Sequence, residues 1–147
     1  MDNGLWKKIG LVLIVCLWPV SVSAANAVCF NEACFTVEVA NEPQEQQRGL
    51  MFRDFMPQDH GMLFIFDHED RYGFWMKNTL IPLDIIWLDG NLIVVHMEEN
   101  VPPCEKDPCT SYRPSAAAWY VLELNAGTAK RLDLKIGDEM HFGKMDR

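Results

Sequence analysis

The residues best placed to do chemistry lie in one stretch, Phe74 to Gly90, where Lys77, Asn78 and Asp84 are embedded among Phe74, Trp75, Met76, Leu83, Ile85 and Trp87. Polar groups in such surroundings are either paired or functional, because burying one unpaired costs roughly 2–7 kcal/mol. One use for Asp84 is acid–base catalysis together with Glu123, in the manner of the two carboxyls that flank a glycosidic bond, with Lys77 in an electrostatic role. That hydrolase-like reading needs the two carboxyls on one cleft, and nothing in the sequence places them there. Nucleophilic catalysis has less support. Ser111 and Ser115 stand in a proline-rich stretch without a Gly-x-Ser-x-Gly elbow, and no Cys-x-x-Cys pair is present.

The sulfur and imidazole residues offer a second chemistry. Outside the N-terminal segment the cysteines fall as Cys29-x4-Cys34 and Cys104-x4-Cys109. An even count in an exported chain points to disulfides. Local pairing is the simplest connectivity, with crossed pairs left open. A four-cysteine metal site is the rival, its spacing at the edge of the usual two to four residues. His60, His68, His96 and His141 accompany Met51, Met56, Met62, Met76 and Met97, a donor set suited to Cu(I). No two of them share a ligand-like spacing on one element, and methionine in an apolar strand is usually core filler. The acidic run Asp67-His68-Glu69-Asp70 lacks the ordered spacing and glycine of a calcium loop and reads as solvated charge. No cofactor is expected.

The elements that must position these groups begin after a targeting segment. Met1 to about Ala27 reads as a secretory signal: Lys7 and Lys8 form the basic region, Ile9 to Trp18 the apolar run, and Ser23-Ala24-Ala25 or Ala25-Asn26-Ala27 the cleavage site. The apolar run is about half the ~20 residues of a membrane-spanning helix, so membrane attachment is expected only through an uncleaved signal. A lipoprotein reading is weak because Val15 precedes Cys16. Loss of Asp2, Lys7 and Lys8 lowers Lys+Arg from 13 to 11 and Asp+Glu from 21 to 20, taking the net charge from −8 to −9. With no basic cluster left, nucleic acid is not an expected partner. Residues 28–147 are expected to form one domain, periplasmic or secreted.

Along that domain, Phe35 to Val39 alternates as a strand. Asn41-Glu42-Pro43-Gln44 starts a short helix, capped by Asn41 and stopped at Gly49. Met62 to Phe66 is an apolar run short enough for a buried strand, followed by a polar loop at Asp67 to Arg71. Phe74 to Met76, Leu83 to Leu88, Leu92 to Met97, Ala117 to Leu124 and Glu139 to Phe142 read as further strands. Asn78-Thr79 and Asp89-Gly90 mark turns, Glu98 to Pro114 is an irregular loop, and Asn125 caps a second short helix through about Leu132. This pattern is a mainly antiparallel β domain with two short helices. No helix is long enough to look like a parallel crossover.

Three segments carry a family resemblance. Glu45-Gln46-Gln47-Arg48-Gly49-Leu50-Met51-Phe52-Arg53 followed by Gly61 to Phe66, then Phe74 to Asp84, then Cys104-x4-Cys109, Tyr120 to Gly127 and Gly137-Asp138 resemble the domain of unknown function 192 family. The likeness spans roughly residues 35 to 143. It implies a compact β-sandwich or barrel-like fold, often in exported proteins, and no established activity. Among the polar residues inside the matching segments, Arg48, Lys77, Asn78, Asp84 and Glu123 are singled out. With Trp75 they are the expected ligand-binding set, orienting a small polar ligand in a mostly apolar pocket. The structural alternative pairs Asp84 with Lys77 or Arg48, an arrangement in which removing one partner strands a charge at about 3–5 kcal/mol. The functional expectation is a non-enzymatic accessory module binding a small ligand or an extracytoplasmic protein.

Overall fold

Alternating apolar residues commit this chain to a sheet with something to bury on each face. The computed structural model describes residues 26–144. In chain order the elements are β1 (Asn26–Phe30), β2 (Ala33–Ala40), α1 (Pro43–Arg48), β3 (His60–Asp70), β4 (Phe74–Trp75), β5 (Leu83–Leu88), β6 (Val94–Val101), β7 (Ser111–Tyr112), β8 (Ala118–Asn125), α2 (Thr128–Arg131) and β9 (His141–Lys144). Seven strands form one sheet in the order β6-β5-β8-β3-β2-β1-β9, while β4 pairs with β7. The class is therefore mainly β with two short helices, as the sequence suggests. The large sheet curls without closing into a barrel. Segments beside its two edge strands meet, with Val94 N donating to Asp138 O at 2.8 Å and Met140 N to Leu92 O at 2.9 Å.

One pairing departs from the antiparallel expectation. β2 and β3 run parallel, Thr36 to Ala40 beside His60 to Phe64. A parallel pair needs a connection of about a dozen residues or more, usually but not necessarily a long helix. Residues 41–59 supply it with only α1 and turns. The cap of α1 is Glu42 rather than Asn41, in a capping box with Glu45, whose Oε2 accepts from the backbone N of both Asn41 and Glu42 at 3.2 Å. Asn125 does not cap α2 either. It ends β8 and its Nδ2 donates to Met56 O and Pro57 O at 3.1 and 2.9 Å, tying the end of the crossover to the sheet. The polar run Asp67–Asp70 extends β3 instead of looping.

β5 shows how the core is organised. All six of its residues are buried, as expected of a central strand covered on both faces. Leu83, Ile85 and Trp87 join Met62, Phe64 and Val121 in a cluster roofed by Leu50 and Met56 of the crossover. Ile86 and Leu88 join Val37, Leu63, Leu122 and Leu124 on the other face, covered by Ala129, Leu134 and Met140.

The sulfurs of Cys29 and Cys34, and of Cys104 and Cys109, lie at disulfide distance. The local connectivity is the one formed, so the four do not gather as a metal site. The expected signal lies outside the described residues as far as Ala25. Asn26 and Ala27 belong to β1, with Ala27 buried opposite Thr36 and Gly143, so residues 26 and 27 are part of the sheet. Among the described residues no helix is long and apolar enough to cross a membrane.

Candidate functional site

Register decides which polar residues can meet. Glu123 of β8 lies opposite Met62 of β3 and Ile85 of β5, so its side chain emerges on the face roofed by the crossover. Asp84 is the chain neighbour of Ile85, and successive strand residues point to opposite faces. The two carboxyls therefore stand on opposite sides of the sheet, and the paired-carboxyl arrangement needed for glycosidase-like chemistry does not form.

Asp84 is fully buried, and its oxygens are taken up by three backbone donors. Oδ1 accepts from Asn100 N at 2.8 Å and Gly127 N at 3.1 Å, and Oδ2 from Ala129 N at 2.7 Å. Asn100 and Gly127 hold positive φ angles of 53° and 83°. The carboxylate thus fixes two unusual backbone turns and the start of α2. The pairing weighed for it, with Lys77 or Arg48, is absent among the described residues.

Glu123 has the opposite environment. It is 5% exposed, and its Oε2 has no hydrogen-bond partner among the described residues. Burial alone pushes its carboxyl from 4.5 up to about 8, because desolvation disfavours the charged form. It lines a narrow recess with Arg48, Phe64, Phe74, Trp75 and Thr79. The recess has ≈ 30 Å³ of free space, room for about one or two waters. Arg48, Gly49 and Met51 are shared with a wider groove of ≈ 400 Å³ over β2, which Glu38 and Arg53 also line. Arg53 Nη2 donates to Glu38 Oε2 at 2.9 Å across that groove.

The local structure explains the recess. α1 ends at Gly49 with φ 46°, a conformation that favours glycine. A Cβ there would sit 3.2 Å from the ring of Phe64, so glycine lets the crossover pass close over β3. The turn at Asn78, φ 57°, forms the facing wall. Its carbonyl accepts from Phe52 N at 2.7 Å, which links the two turns across the mouth. Phe64 and Phe74 meet edge to face at 4.8 Å.

Of the six residues expected to form a ligand site, Arg48, Trp75 and Glu123 share this recess. Lys77 lies just outside, its Nζ 5.7 Å from the centre of the Trp75 ring and 3.3 Å from Asp107 Oδ2. Asn78 is a turn residue whose Nδ2 approaches Met51 Sδ at 4.0 Å. Asp84 is on the far face. The recess also uses Gln46, Phe64, Phe74 and Thr79, which sequence reasoning did not select. Only their position inside the family-like segments could have pointed to them. The methionines considered for copper are dispersed: Met56, Met62 and Met76 fill the core on the Glu123 face, while Met97 packs on the other. His60 contacts Asp59 and His96 contacts Glu98.

The fold and recess together define a small β domain, one open sheet with a pocket between its crossover and one face. Solved structures share this architecture. A protein of unknown function from Novosphingobium aromaticivorans is 34% identical with a TM-score of 0.71, covering 80% of this chain and 83% of its own. A protein from Sinorhizobium meliloti 1021, described as a candidate transcription regulator, is 35% identical with a TM-score of 0.70, covering 82% and 96%. Residues 26–142 match DUF192, described as an uncharacterized ACR, and the chain belongs to that family. A UPF0127 protein of Pyrococcus abyssi is 31% identical over 111 residues, 72% of this chain and 85% of its own length.

Proposed function

We propose that this protein is an exported, non-enzymatic accessory module that binds a small ligand in the recess between α1 and the sheet. The observation that carries this reading is the buried, unpartnered Oε2 of Glu123 facing an accessible recess. A buried polar group left unsatisfied costs about 1–3 kcal/mol, and a bound ligand removes that cost. Phe64, Phe74 and Trp75 stand beside Gln46, Gln47, Arg48 and Thr79 around that carboxyl, a mixture that suits one small polar group rather than a whole drug-sized ligand. The two cysteine pairs fit an oxidising compartment and agree with the signal-like N-terminus, so periplasm or the secreted fraction is the proposed location. The acidic balance, −8 over the whole chain, runs against binding to nucleic acid phosphates. Asp84 is left out of the proposed ligand set because its oxygens are already engaged. Lys77 and Asn78 are kept as residues that shape the mouth.

Native mass spectrometry of the protein isolated from its own periplasm or culture fluid tests this directly. The expected result is an added mass that is lost on replacing Glu123 or Trp75. An adduct-free protein, together with no response of the recess to small probes, overturns it.

A further inference from the structure

The walls around Glu123 narrow the choice of ligand. The recess admits a group about the size of a water, and Phe64, Phe74 and Trp75 line it together with Gln46, Gln47, Arg48 and Thr79. Aromatic faces attract cations, and Trp75 already holds the Lys77 ammonium 5.7 Å from its ring centre on the outside. At the base, Glu123 Oε2 is buried without a partner among the described residues. An ionised carboxyl beside aromatic rings is complementary to a small cation. We infer that the recess receives a small protonated amine, its ammonium pairing with the Glu123 carboxylate against the rings of Phe74 and Trp75. This rests on the ligand-binding reading above and names its ligand class.

The other charges nearby permit this pairing. Arg48 is the one other charged residue lining the recess. It is exposed, so water and salt screen it, and desolvation by burial is what raises the titration of Glu123. In the adjoining groove, Arg53 is neutralised by Glu38 and Glu45 is engaged in the cap of α1. Lys77 is paired with Asp107. When the ammonium enters, the carboxyl ionises and its proton leaves to solvent. Amine affinity therefore rises with pH, approaching tenfold per pH unit below the titration at about 8. A neutral acceptor ligand held by the protonated carboxyl would weaken over the same range.

The test is an amide NMR titration with n-butylammonium chloride, n-butanol and sodium butyrate, at about pH 6 and about pH 8. Butylammonium is expected to shift the amides of Gln46–Met51, Phe74–Trp75 and Glu123, at least tenfold more tightly at the higher pH. Calorimetry of the unaltered protein in two buffers is expected to show close to one proton released per amine bound at the lower pH. Glu123→Gln, which retains shape without charge, is expected to weaken the amine at least tenfold. If butanol or butyrate perturbs the same amides as strongly, or Glu123→Gln leaves amine affinity unchanged, the amine assignment is wrong while the binding site stands. If none of the three moves these amides, the ligand-binding reading fails with it.

Discussion

At Asp84, three backbone N–H groups converge on one buried carboxylate; at Glu123, Oε2 has no hydrogen-bond partner among the described residues. Charged hydrogen bonds of this kind contribute about 1.5–3 kcal/mol each. Replacing Asp84 by Ala strands three donors inside the fold, and we expect about 3–5 kcal/mol of destabilisation in urea unfolding. An unchanged midpoint would show that these contacts do not hold α2. Glu123 makes the reverse demand. Its folded titration near 8 lies above the ordinary 4.5, so the folded state keeps a proton that the unfolded chain has released. Stability is highest below the unfolded value, falls as pH rises between the two at on the order of 1 kcal/mol per pH unit, and levels off above the folded value. Glu123→Gln should remove that slope. Urea midpoints measured at pH 5 and pH 8 check it: equal pH dependence in both proteins would mean the carboxyl is not buried as described.

Among the elements, β1 bears on where the chain is processed and the crossover on the recess. β1 reaches Asn26, and the backbone pairing of Asn26 and Ala27 with Lys144 and Gly143 makes half of the β1–β9 ladder. Of the two small-residue motifs for signal cleavage, processing after Ala25 preserves that ladder and processing after Ala27 removes it. Under the proposed export, the mature chain is expected to begin at Asn26, which intact mass measurement of protein recovered from the periplasm or culture fluid decides. A mature chain beginning at Val28 would contradict it. The crossover shows how a short helix can sit over a recess. α1 buries none of its own residues; Leu50 and Met56 behind it do the anchoring. The recess is thus shaped by turn geometry at Gly49 and Asn78 more than by helix packing.

For the whole molecule, the two cysteine pairs have different consequences. Each closes a short loop, and the chain-entropy account gives about 2 kcal/mol apiece. Cys29–Cys34 clasps the β1–β2 hairpin, away from the recess. Cys104–Cys109 holds the loop whose Cys104 N donates to Met76 O and whose Asp107 pairs with Lys77. Replacing both cysteines of either pair by Ala should lower the urea midpoint comparably. Only loss of Cys104–Cys109 should also move the amides of Met76 to Asn78. Identical NMR changes from the two double variants would refute the link between that loop and the mouth of the recess.

Strand patterning and the turn signals at Asn78 and Gly49 made the mainly β class and most strand positions legible in the sequence, while the cysteine spacing made local pairs the simplest choice and left crossed pairs open. These are short-range properties: a period of two, a preference for positive φ, and small loops. The parallel β2–β3 pair was not legible, because a crossover built of turns carries no periodic signature. Nor was the fate of Asp84 and Glu123. Both are acids in apolar strands, and sequence alone treats them alike. Their register is what separates them, placing Asp84 among backbone donors at α2 and Glu123 among rings with an oxygen unpaired, and register is set by long-range strand pairing.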